Sequence, residues 1–235
     1  MLFQNNATGA VAHDAGLAAH MRMIFNYMAG GVALSGLVGW LTLRSPELLN
    51  FAVQANLVLL LVWFGMGMFF HKIAFNTQPT TALAMFALYS AITGLMLAPI
   101  GLMYAQADIT IAFAAAAGTF AAASLYGYTT GRSLASLGSF LAVGGIALTI
   151  FAVVLIGMSI FSTVPQGLSL VFSFLVVPFI TIAIAFKMNQ IRETYHMYGS
   201  DELMSSRLAI VNALGFYTDF VVLFIHILNI LSSRR

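Results

Sequence analysis

The run Leu208–Leu231 reads LAIVNALGFYTDFVVLFIHILNIL, with a single charged side chain, Asp219, near its middle. At 1.5 Å per residue a helix of this length extends about 36 Å, enough to cross the roughly 30 Å hydrocarbon core of a bilayer. Six further windows have the same character: Met23–Leu43, Phe51–Phe70, Thr80–Tyr104, Ile109–Tyr126, Ser139–Ser162 and Leu168–Phe186. Their Ala, Leu, Met and Phe content lacks the short alternating segments of a membrane β-barrel. The fold class expected is an all-α membrane protein with seven transmembrane helices.

Composition excludes the soluble alternative. Of 235 residues, 61% are hydrophobic and 7% charged, against about 25% charged in soluble domains, so most of the outer surface must face hydrocarbon. A formal charge of +2 spread over so few ionisable groups gives no support for nucleic-acid binding. The absence of cysteine removes disulfides, thiolate metal sites and cysteine nucleophiles. Residues 1–22 are polar and small, carry only Asp14 and Arg22 as charges, and lack the form of a cleaved signal peptide. They read as a tail or short interfacial helix ahead of a seven-helix domain over 23–235. Lys187–Arg207, the longest hydrophilic stretch, joins the sixth and seventh spans. Placing the N-terminus in the cytoplasm puts Arg22, Lys72, Arg132, Lys187, Arg192 and Arg207 on the side where positive residues are retained, and Arg44, Arg234 and Arg235 opposite.

Asp219 is the most informative residue, because an ionised carboxylate at mid-span costs about 2.5–3.5 kcal/mol on insertion scales and needs compensation. It reads either as an ion or proton site or as a structural carboxylate bonded to neighbouring helices. Lys187 closes the sixth window; its ammonium either turns inward to Asp219 or snorkels to the interface as an anchor. His226 stands seven residues after Asp219 on roughly the same face, with Asn229 nearby, and is a candidate proton relay or a satisfied core histidine. His71 and Lys72 read as an interfacial pair of basic residues. Gly31, Ser35 and Gly39 have the spacing that lets another helix approach closely. Pro99 and Pro178 each remove one helical hydrogen bond and should kink their spans. Asp108, Glu47, Glu193, Asp201 and Glu202 fall in loops or at helix ends, where solvation is the default. No nucleotide loop, HExxH motif or nucleophile constellation occurs, so no enzyme activity is expected. No cofactor or metal is expected either: His226 has no second histidine at ligand spacing, Met66, Met68, Met96 and Met103 read as packing, and packing also accounts for the 20 Phe and 8 Tyr.

The run Ser124-Leu125-Tyr126-Gly127-Tyr128-Thr129-Thr130-Gly131-Arg132-Ser133-Leu134 resembles the loop signature of the Bax inhibitor-1 family, the transmembrane Bax inhibitor motif family. Leu88-Tyr89-Ser90-Ala91-Ile92-Thr93-Gly94-Leu95 is similar in type. Ala213-Leu214-Gly215-Phe216-Tyr217-Thr218-Asp219-Phe220 is similar to the family's last-helix pattern of an aromatic and an Asp-Phe pair. The resemblance covers nearly the whole chain from about residue 16 and is to bacterial members, which implies an inner-membrane location. It also implies a seven-helix bundle with the last helix central and, in several members, a pH-sensitive calcium leak controlled by two aspartates on the sixth and seventh helices. Asp219 matches the seventh-helix aspartate. At the sixth-helix position the chain reads Phe186-Lys187-Met188-Asn189-Gln190-Ile191, so Lys187 stands where the other aspartate is usual.

That departure reverses the local electrostatics. Two carboxylates in a dry site share a proton, whereas a lysine opposite an aspartate makes each charge favour the other and repels a divalent cation. The partners expected are the lipid bilayer, with Ca²⁺ or protons as cargo. The resemblance adds other membrane proteins, such as membrane-embedded proteases, under a non-conducting alternative. The leading expectation is a cation leak protein with an altered switch.

Overall fold

The computed structural model describes residues 2–161 and 163–233, with side chains from Ala15 onward. The candidate topology residues Arg234 and Arg235, and the side chain of Asp14, lie outside the described residues. The helices are α1 (Leu2–Arg44), α2 (Pro46–Gln54), α3 (Asn56–Asn76), α4 (Pro79–Leu97), α5 (Ile100–Met103), α6 (Gln106–Thr129), α7 (Gly138–Phe161), α8 (Gln166–Thr194) and α9 (Glu202–Ser232), with 3-10 turns at Ala135–Leu137 and Tyr195–Met197; no strand occurs among the described residues. Seven segments are long and apolar enough to span a bilayer: Ala15–Arg44, Asn56–Asn76, Pro79–Met103, Gln106–Thr129, Ala135–Phe161, Gln166–Met197 and Glu202–Ser232. The seven sequence windows fall within them, apart from single residues at two window ends and the first turn of the second window, Phe51–Ala55, which belongs to α2 and its junction with α3.

Helix ends follow local chemistry. Ser45 caps α2 by accepting from the Leu48 N–H, and Pro46 and Pro79 occupy first-turn positions where no amide donor is needed. The carboxylate of Asp201 accepts from the Met204 N–H at 2.9 Å to start α9. The two prolines expected to kink their spans behave differently. Pro99 interrupts the third span between α4 and α5, whereas α8 runs uninterrupted through Pro178. The first helix reaches back past the boundary expected at residue 22: Leu17, His20 and Met21 are already buried on it, because the small residues there do not oppose helix and carry apolar neighbours at helical spacing.

The chain forms two compact units, 1–103 with 195–217, and 104–194 with 218–235. In the first, α1 and α4 run parallel: Gly31 meets Phe86 and Ser90, Ser35 bonds the Ser90 carbonyl, Gly39 meets Gly94, and Leu43 meets Gly101. The spacing Gly31, Ser35, Gly39 therefore serves intramolecular packing. On α3, Trp63 donates to the Thr93 hydroxyl at 2.9 Å and stacks on Tyr89. The first half of α9 enters this unit through Tyr217, which bonds Ser35 and sets its ring edge-on to Phe86 and Tyr89.

In the second unit α6 packs on α8 so closely that Gly127 lies directly against the Ala185 carbonyl. The later half of α9 inserts Phe220 edge-on to Phe113 and Phe120, while α7 has no buried residue. Three-fifths of the apolar window of α9 is buried, against a third or less in every other span. The last helix is thus the most buried of the seven spans.

The α1/α4 contact gives a direct test. A Cβ at Gly94 would stand 2.5 Å from the Ser35 carbonyl oxygen, a backbone atom that cannot rotate away, whereas one at Gly36 meets nothing within 4 Å. Gly94→Ala should cost about 1–3 kcal/mol through overpacking and lower the melting temperature in detergent by several degrees. Gly36→Ala should leave it unchanged or slightly raised.

Candidate functional site

In the second unit α8 and the later half of α9 run antiparallel, as three sets of contacts show: Lys187 with Asp219, Ser173 with His226, and Ser169 with Asn229. Lys187 and Ser173 are fourteen residues apart, about 21 Å of helix, while Asp219 and His226 are seven apart, about 10 Å. The difference is covered by the lysine stem. Side chains lean toward the N-terminus of their own helix, so on antiparallel helices Lys187 leans down α8 and Asp219 leans back up α9, toward each other.

The ammonium donates to both carboxylate oxygens, at 2.9 Å to Oδ1 and 2.8 Å to Oδ2. The side chain of Asp219 is 8% exposed and that of Lys187 is 41% exposed. The carboxylate is therefore enclosed, and the ammonium arrives from the more open end of the site. Asp219 sits about 20 Å from the end of α9 at Ser232, at mid-span, where a carboxylate without a counter-ion would be most costly.

The end of α8 that carries Lys187 is fastened to the loop following α6. Asn189 accepts from the Leu134 N–H at 2.9 Å and donates to the Arg132 carbonyl at 3.3 Å. Arg192 donates to the carbonyls of Tyr128 and Thr130 at 2.8 and 2.7 Å, and Ser133 donates to Glu193 at 3.0 Å. These bonds satisfy the terminal carbonyls of α6 and hold the backbone below Lys187 in register. Sequence reading treated Glu193 as solvated and did not single out Asn189 or Arg192 for this role. The signal available was their spacing of two and five residues beyond Lys187, which puts both on the opposite side of the helix from it, so that the three cannot all face the same way.

His226 is not bonded to Asp219. It bonds Ser173 at 2.9 Å and sets its ring against Phe172, and Asn229 donates to the hydroxyls of Ser169 and Ser173 at 2.8 and 2.9 Å. This cluster joins α8 to α9 two turns from the ion pair. Its α8 partners, Ser169 and Ser173, went unrecognised although they form an i, i+4 polar pair in an apolar run. His71 and Lys72 lie exposed on α3, which continues to Asn76, and the His71 ring packs on Phe75. Asp108 departs from the solvated reading: it is 8% exposed in the first turn of α6, where helix N-terminal amides favour a carboxylate. Among the described residues no three His, Asp or Glu side chains converge as a metal site requires.

The sequence model of the family described as inhibitor of apoptosis-promoting Bax1 matches residues 17–235. The chain belongs to the Bax inhibitor-1 family. Among relatives of this family member, a protein of Rickettsia prowazekii is 30% identical, covering 94% of this chain and 92% of the relative. The inner membrane protein YbhL of Escherichia coli K12 is 27% identical, covering 94% of each chain. A membrane protein of Streptococcus pyogenes is 29% identical, covering 92% and 93%. Like other Bax inhibitor-1 proteins, this chain is a multi-pass integral membrane protein. Within it, the basic side chain of Lys187 lies directly on the Asp219 carboxylate.

The exposures of the pair predict an asymmetry. Lys187→Met strands a buried carboxylate and should cost on the order of 3 kcal/mol. Asp219→Asn leaves an ammonium that can turn to the interface, and should cost about 1 kcal/mol or less. The double variant should recover most of the loss of Lys187→Met. Thermal unfolding of the four proteins in one detergent checks the order.

Proposed function

We propose that the protein is a cation leak pathway of the Bax inhibitor-1 type, with calcium as its cargo, in which the family's proton switch is replaced by a fixed ion pair. The observation that carries this reading is the ammonium of Lys187 donating to both oxygens of the buried Asp219 carboxylate. Two carboxylates at this place would exchange a proton as pH changes. In a lysine–aspartate pair each charge favours the charged state of the other, so neither group needs to exchange a proton with solvent near neutral pH. Asp219 and Lys187 then act as a latch that separates by displacement of charge, and the reading includes no enzymatic step. His226 lies outside the latch; its bond to Ser173 supports a helix-joining role beside the relay role. A cytoplasmic N-terminus fits this reading, since the connectors bearing or bound by Arg132, Arg192 and Arg207 would then lie on the side where positive residues are retained.

A non-conducting regulator that binds another membrane protein, such as a membrane-embedded protease, is the second reading. The observation favouring it is the neutralised carboxylate, which leaves no net negative charge to attract Ca²⁺.

Calcium flux into liposomes separates the two. Wild type should conduct weakly above empty liposomes and with little change between about pH 6 and pH 8, whereas Lys187→Asp should conduct with a pH dependence approaching about tenfold per unit, the limit for one titrating proton. Wild-type flux as steep in pH as that of Lys187→Asp would overturn the fixed latch. Flux no greater than empty liposomes in both proteins, with a co-purifying membrane partner, would establish the regulator instead.

A further inference from the structure

A cavity of about 160 Å³ lies between α1 and α4 in the first unit, well away from Asp219 in sequence and on other helices. Its walls are apolar, formed by Leu34, Leu83 and Ala87, and it exists because Gly30 contributes no side chain there: a Cβ at Gly30 meets nothing within 4 Å. Gly31, beside it, is the opposite case, already closed in by Phe86, Ser90 and Tyr217. The lining from Asn26 to Leu34 runs about 12 Å along the α1 axis, so the space is a slot rather than a sphere.

The two ends of the slot differ chemically. Asn26 and Tyr27 place an amide and a phenol at the end nearest the start of α1, and because α1 and α4 run parallel this is also the end nearest the start of α4. Arg22 precedes Asn26 by one turn on the same face of α1 and is exposed. It has no ion-pair partner among the described residues. Ordered from the helix start, the face therefore presents a cation with no ion-pair partner among the described residues, two hydrogen-bonding groups and an apolar slot along the α1 axis.

We propose that this slot holds one acyl chain of an anionic phospholipid, whose phosphate is met by Arg22 with Asn26 and Tyr27 beside it. The assignment rests on charge complementarity: a neutral lipid would fill the apolar part equally well but leave the Arg22 guanidinium without a partner, and a zwitterionic one would bring its own ammonium beside the phosphate and so cancel part of the attraction that an anionic headgroup keeps. Tight helix packing does not account for the slot, since the neighbouring Gly31 and Gly94 already close the α1/α4 contact.

Native mass spectrometry of the full chain, released from nanodiscs containing equal phosphatidylglycerol and phosphatidylethanolamine, tests the assignment. Wild type should retain a single phosphatidylglycerol. Gly30→Leu fills the slot from α1 and Ala87→Leu from α4, and either should lower retention by about tenfold or more; the second keeps the test decisive if the first fails to fold. Arg22→Gln should still retain one lipid but lose the preference for phosphatidylglycerol. Retention unchanged in a folded slot-filling variant overturns the proposal. So does wild type without headgroup preference, or a wild-type dimer that Gly30→Leu converts to monomer, since the slot would then receive a second copy of this chain.

Discussion

An ionised carboxylate at mid-span constrains the second unit more than any apolar contact in it. Asp219 is enclosed by α9 and its neighbours, so its charge must be met within the protein, and Lys187 meets it at both oxygens. The match needs a long flexible stem, because the backbone of position 187 lies nearer the helix end than that of position 219. It also needs α8 to be held in register, which the bonds from Asn189 and Arg192 to the α6–α7 loop achieve. A shorter basic side chain, or an α8 one residue out of phase, would leave the carboxylate bare.

The same rule governs the weaker polar groups. With no water in the hydrocarbon to receive them, most hydroxyls on these spans turn to carbonyls or to each other, the buried Ser124 being an exception. Ser90, Thr93, Thr149 and Thr181 each donate to the carbonyl four residues back. Where two helices both carry such groups the bonds cross between them, as at Ser173 with His226 and Asn229, and at Ser35 with Tyr217. Small residues set how near the helices come, and polar residues then fix their register; apolar side chains alone would do neither, because lipid solvates them equally well.

How much of this was legible from sequence follows from what each feature depends on. The seven spans depend on composition and length, and the windows located them. Asp219 was visible as a lone charge in an apolar run. The direction of Lys187 was not, because snorkelling and pairing use the same residue at the same place and differ only in which face of α8 meets α9. The parallel pairing of α1 with α4 depends on contacts between segments far apart in sequence. Pro99 and Pro178 show the limit of local rules: each lacks the same amide donor, yet one ends a helix and the other does not, since the surrounding packing determines whether the chain continues helical beyond it.

An ion pair and a shared-proton pair also open by different physics. A proton switch is released when the solution supplies or removes a proton. Separating opposite charges from about 3 Å to about 6 Å at an effective dielectric constant near 20 costs on the order of 3 kcal/mol, and less once solvent reaches the partly uncovered ammonium. A difference of that size keeps the separated state a minor population without forbidding it. Opening of the latch proposed above would respond to anything that offers the ammonium another anion or moves the end of α8, and the loop that Arg192 and Asn189 bind is attached to that same end.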